Sequence, residues 1–90
     1  MELTFNQIDG YWVAEFEVTT DFNLHIERDT EGRLDIYQKT AGTKYEYVYE
    51  IGYLDKRLTY DFDFTALVYP KQIKIKSKVQ PQVAVVTFAE

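Results

Sequence analysis

Apolar and polar residues alternate with a period of two along nearly the whole chain. Leu3 and Phe5 alternate with Glu2, Thr4 and Asn6, then Trp12, Ala14, Phe16 and Val18 with Glu15, Glu17 and Thr19. Phe22, Leu24 and Ile26 alternate with Asn23, His25 and Glu27, and the spacing continues through Leu34 and Ile36. It resumes at Tyr45, Tyr47, Tyr49 and Ile51, at Leu58, Tyr60, Phe62 and Phe64, at Ile73 and Ile75, and at Val83 and Val85. Successive side chains of a strand point to opposite faces, so each set predicts a strand with one buried side. No segment carries the spacing of a helix.

The interruptions fall where turn chemistry sits. Asp9-Gly10 is the strongest hairpin signal, because a two-residue type I′ turn needs positive φ at both central positions and Asp and Gly tolerate it. Such a turn sets Ile8 opposite Tyr11, Gln7 opposite Trp12, Phe5 opposite Ala14 and Leu3 opposite Phe16, with the apolar residues on one face. Asp29-Thr30-Glu31-Gly32 separates two even-numbered apolar sets, which predicts an odd-numbered, glycine-containing bulged turn. Ala41-Gly42-Thr43, Leu54-Asp55-Lys56-Arg57, Pro70 and Gln80-Pro81-Gln82 mark the other breaks. The stretch from Leu58 to Tyr69 is too long and too apolar toward its end for one alternating strand, so a bulge or a corner near Thr65 should carry the chain between sheets.

These junctions predict an all-β chain of about eight short strands, a two-sheet and mainly antiparallel β-sandwich built from successive hairpins. A jelly-roll-like arrangement or a small barrel is the alternative. Composition agrees: aromatics make up 17% of the chain and alanine is sparse, which places local propensity on the β side. Ninety residues form one domain, 1–90, near the lower limit for a core without metals or disulfides.

The absence of cysteine removes disulfides, thiolate metal cages and cysteine nucleophiles, and one histidine cannot build a multi-histidine zinc site. His25, flanked by Asn23 and Glu27 on its face, has no candidate nucleophile grouped with it, and Asp55, Asp61 and Asp63 lack the spacing of a calcium loop. We therefore expect no catalytic residues, no metal and no cofactor. No apolar run reaches the roughly 18 residues of a membrane span, and the first residues lack the features of a secretory leader. A soluble, cytoplasmic chain is expected, with a virion-associated location as the other reading.

Charge is unevenly distributed within a net of −5. Residues 1–38 hold nine acids and two bases, whereas residues 71–90 hold four lysines and one glutamate. Lys74, Lys76 and Lys78 share one side of their strand. They would pair with acidic neighbouring strands, protect a sheet edge from aggregation, or form an interaction edge. Isoleucine and serine, not aromatics, stand between them, and the whole chain is acidic, so nucleic acid is not the expected partner.

Tyrosine offers a large ring with a polar tip, suited to surfaces buried in a complex. Tyr45, Tyr47 and Tyr49 stand in one row with Tyr53 behind them, and Glu46, Val48 and Glu50 take the other side. If the glutamates face water the row faces the core, which leaves Tyr11, Tyr37 and Tyr69 as the exposed candidates. Trp12 shares the parity of the core residues Phe16 and Val18. The interaction candidates are thus Tyr11, Tyr37, Tyr69, Lys74, Lys76 and Lys78, with Tyr45, Tyr47, Tyr49, Tyr53 and His25 behind them. The expected function is a non-enzymatic structural or interaction module that binds protein, itself or an assembly partner, as in a virion or surface appendage. A carbohydrate-binding module using exposed tyrosines is the alternative.

Overall fold

The computed structural model describes residues 1–40, 42–51, 57–65 and 68–89, with residues 49–51 by backbone alone. Its strands are β1 (Asn6–Ile8), β2 (Tyr11–Val18), β3 (Phe22–Glu27), β4 (Leu34–Lys39), β5 (Glu46–Ile51), β6 (Thr59–Phe64), β7 (Lys71–Ser77) and β8 (Val83–Phe88). They form two antiparallel sheets, one of five strands in the order β1-β2-β7-β4-β5 and one of three in the order β6-β3-β8. The expected all-β sandwich is what the chain builds. No helix long and apolar enough to cross a membrane occurs among the described residues.

The first hairpin forms as its turn dictates. Asp9 and Gly10 both have positive φ, 51° and 81°, and Ile8 pairs with Tyr11 and Gln7 with Trp12. The predicted continuation to Phe5–Ala14 and Leu3–Phe16 does not form. Beyond Asn6 the chain leaves β2 and crosses to the other sheet, where the Leu3 amide donates to the Ala84 carbonyl at 2.9 Å and the Val86 amide to that of Met1 at 2.8 Å. Both routes bury Leu3 and Phe5, which pack against the core from the crossing segment. Only the observed one also satisfies the backbone groups along the open side of β8.

Most connections switch sheets, which corrects the expectation of successive hairpins. Among consecutive strands only β1–β2 and β4–β5 pair; β2 pairs with β7, and β3 with β6 and β8. The Asp29–Gly32 segment joins strands of different sheets, so the parity that demanded an odd hairpin loop does not constrain it. β6 ends at Phe64 and the chain re-enters the other sheet at Lys71, so a crossing falls where a corner near Thr65 was expected. Residues 54–56 of the predicted Leu54–Arg57 turn lie outside the described residues.

The core is the space between the sheets. Ile36 pairs with Ile75, which pairs with Ala14, and Ile36 and Ile75 join Leu24, Ile26 and Val86 of the other sheet in one core cluster, all six residues being buried. Phe16 meets Phe22 edge to face at 6.1 Å, and Phe22 lies parallel to Phe64 at 4.7 Å, so rings tie the sheets together at one end. Near Tyr60, Arg28 is also buried; its Nη1 donates to the Gly32 carbonyl at 2.8 Å, and its guanidinium lies 5.4 Å from the Tyr60 ring centroid.

Candidate functional site

With even-numbered residues of β2 and β4 and odd-numbered residues of β7 turned inward, the alternate set forms the outer face of the five-stranded sheet. Register sets out its rows: Val13, Lys76 and Asp35; Glu15, Lys74, Tyr37 and Tyr47; Glu17, Gln72 and Lys39. β7 is the central strand of this sheet, so its lysines belong to a face and not to an edge. Neither the edge-protection role nor an interaction edge applies to them.

A bulge supplies the tyrosines. The pairing shifts between Ile36 and Tyr37, so Ile36 opposes Tyr49 whereas Tyr37 opposes Tyr47, and Val48 is the extra residue. This breaks the predicted row between Tyr47 and Tyr49. Val48 packs against the core on the side of Glu46, which opposes Gln38, so the expected common side of Glu46, Val48 and Glu50 breaks at Glu50, which opposes Asp35, and Tyr45 and Tyr47 lie beside Tyr37 on the outer face. The Tyr37 and Tyr47 rings are 4.6 Å apart with a 32° tilt, and Tyr47 is 56% exposed. Tyr53 and the side chain of Tyr49 lie outside the described residues.

The lysines sit on these rings. Lys74 Nζ is 5.0 Å from the Tyr45 centroid and 5.5 Å from that of Tyr37, and Lys39 Nζ is 4.6 Å from Tyr45. Lys76 and Lys78 approach Tyr11 at 4.6 and 4.9 Å. The cross-strand register does bring Glu15 opposite Lys74 and Asp35 opposite Lys76, as pairing with acidic strands requires. The carboxylates are engaged elsewhere: Arg33 donates to both oxygens of buried Asp35, Gln72 donates to Glu17 at 2.9 Å, and Glu15 accepts from the Tyr45 hydroxyl. Among the described residues no carboxylate lies within ion-pair distance of Lys39, Lys74, Lys76 or Lys78. Ammonium groups over tyrosine faces gain about 0.5–1 kcal/mol each in exposed positions and remain able to meet an anion.

The face is a packed layer. Val13 and Asp35, the cross-strand neighbours of Lys76, are buried although they lie on the outer side. Burial raises the Tyr37 hydroxyl well above its ordinary pKa, assisted by its hydrogen bond with Tyr47 and by the charge of Asp35. Tyr45 is raised chiefly by burial and then by Glu15. Both hydroxyls stay protonated at neutral pH and serve as donors.

Other candidates fall elsewhere. Tyr69 is half-buried and donates to Asp21, away from this face. Trp12 is half-buried on the inner side, opposite Ser77. His25 belongs to the outer face of the three-stranded sheet, where its Nε2 lies 3.0 Å from Glu27 and its Nδ1 3.4 Å from Asp61. The hydrogen bond to Glu27, with a smaller contribution from Asp61, raises the His25 pKa above 6.5. Asn23 donates to both Asp61 and Asp63, and this bond is the main cause of the lowered Asp61 pKa. No group of three or more metal-ligating side chains occurs among the described residues.

Among the members of the tyrosine–lysine face that sequence reading did not single out are Lys39 and Glu15. Parity with Tyr37 and with Glu17 was the available signal. Along β7 the residues between the lysines are isoleucine and serine, but the tyrosines arrive from β2, β4 and β5, so basic and aromatic groups interleave across the sheet. Comparison with family models, with curated proteins and with solved structures finds no match.

Proposed function

We propose that this chain is an interaction module whose binding surface is the outer face of the five-stranded sheet, and that its partner presents an acidic protein surface. The observation that carries this reading is the placement of four lysine ammonium groups on tyrosine rings with no described carboxylate in ion-pair range. An arriving carboxylate would meet each ammonium without first breaking an ion pair, while the rings supply apolar area that loses little conformational entropy on binding. Glu15 and Glu17 between the lysines would repel a continuous phosphate backbone, which favours a protein partner over a nucleic acid.

The test is titration of isotopically labelled protein with a poly-glutamate peptide, followed by backbone amide shifts. We expect saturable, salt-sensitive shifts confined to β2, β4, β5 and β7, and none on those strands with poly-lysine. Shifts spread over both sheets, or none at all, would remove the basis for the proposal. A second reading, glycan binding, is favoured by the exposed Tyr47 ring beside Tyr37, an aromatic face on which a sugar ring could lie. Saturable tyrosine quenching by a neutral oligosaccharide would select it.

A further inference from the structure

The two outer faces of the sandwich carry opposite chemistry. On the three-stranded sheet, register sets Asp61, His25, Val85 and Glu2 in one row, with Asp63, Asn23 and Thr87 on one side of it and Thr59, Glu27 and Val83 on the other. Four carboxylates thus border a strip of valine and threonine. Asp61 and Glu27 keep 63% and 48% of their side chains exposed. The opposite face presents Lys39, Lys74, Lys76 and Lys78 around four tyrosines. Each face holds charges that complement the other's around a less polar middle, with Glu15 and Glu17 along the β2 side of the tyrosine–lysine face.

We infer that a second copy of this chain is the occupant of the tyrosine–lysine face, docking through its three-stranded sheet so that copies add head to tail. This rests on the interaction surface proposed above and names its partner. Because the two surfaces lie on opposite sides of the molecule, a bound copy still presents one free face of each kind. The contact is heterologous, and unless its rotation closes a ring it propagates into an open chain. The net charge of −5 opposes random encounter between copies, whereas face-to-face alignment brings unlike charges together, so charge sets the orientation.

Two charge-reversed variants test this, each altering one face. Lys74→Glu/Lys76→Glu/Lys78→Glu removes the basic surface, and Asp61→Lys/Asp63→Lys reverses much of the acidic one. All five residues lie on the outer faces, and circular dichroism would verify that each variant keeps its fold. By light scattering after size exclusion, the wild type should give a concentration-dependent series of multiples of 10.7 kDa. Raising salt from 0.05 to 0.5 M should weaken it about tenfold or more. Each variant alone should be a monomer. Their equimolar mixture should associate again, since the acidic face of the first variant meets the intact tyrosine–lysine face of the second and the two reversed faces also carry opposite charge. A wild type that stays monomeric, variants that still associate alone, or a mixture that does not pair would each overturn the head-to-tail inference. If poly-glutamate still shifts the tyrosine–lysine face in a monomeric wild type, the interaction surface stands and only the identity of its occupant is wrong. If the peptide also fails to bind, both proposals fall.

Discussion

Ile36 gives the sharpest test of the sandwich, because Ile8 provides a control of the same residue type. Ile36 is fully buried, and its row across the sheet continues through Ile75 to Ala14, whose small side chain cannot expand into a vacated space. Ile36→Ala removes three carbons, worth about 2.4 kcal/mol of transfer free energy at ~0.8 kcal/mol each. The cavity left between two sheets raises the total to about 3–4 kcal/mol. A domain of this size has a stability of roughly 5–13 kcal/mol, so this one change consumes a large share of it. Thermal unfolding followed by circular dichroism should show Tm falling by about 12–30 °C, at ~4–8 °C per kcal/mol. Ile8 sits beside the first turn and is 52% exposed, so Ile8→Ala should cost within about 0.5 kcal/mol. Equal effects at the two positions, or a Tm change below about 5 °C at Ile36, would refute the placement of Ile36 between the sheets.

Three further outcomes follow from local geometry. His25 should titrate by NMR with a midpoint above 6.5, and Glu27→Gln should move it back toward that value; no movement would show that the Glu27 contact is not made. In stability terms the raised His25 pKa contributes fully below about 6.5 and fades as pH rises through the folded-state value, while the lowered Asp61 pKa contributes above its ordinary range and fades in acid, so the cluster helps most between the two. Gly10→Ala, at φ 81°, should cost about 1 kcal/mol or more in chemical denaturation, whereas an unchanged midpoint would mean the turn is not type I′. Arg28 is buried, and its Nε and Nη2 have no hydrogen-bond partner among the described residues, so Arg28→Met should change stability by less than about 1 kcal/mol; a loss above about 2 kcal/mol would mean the charge is well compensated.

Strand positions and the buried parity were legible because a one-residue period error would expose whole sets such as Leu24 and Ile26 or Ile73 and Ile75. The Asp9-Gly10 turn was legible because its chemistry is local. Strand neighbours were not: nothing in Lys71–Ser77 tells that it will lie between β2 and β4, since alternation fixes which side of a strand is buried but not its partners. The bulge at Val48 was equally silent, and it inverted the reading of the tyrosine row. A regular strand would have kept Tyr47 and Tyr49 on one side, and only pairing with β4 shows where the extra residue falls. The tyrosine–lysine face was therefore visible as its separate parts, Tyr11, Tyr37 and the three lysines, but not as one surface.

The central place of β7 also governs how the protein can be made on the ribosome. β2 and β4 have no pairing with each other and are joined only through β7, and β3 is completed on one side only when β8 follows. A nascent chain that has reached residue 70 therefore holds most of its aromatic residues without the strand that organises the larger sheet. Folding must wait for the last quarter of the chain, with loop closures spanning more than fifty residues, as β2 to β7 requires. Until then several apolar strands are exposed together, a state open to pairing between neighbouring nascent chains. The density of acidic residues in the first 38 positions gives those early strands a like-charge repulsion during that interval, before the lysines of β7 arrive to join them.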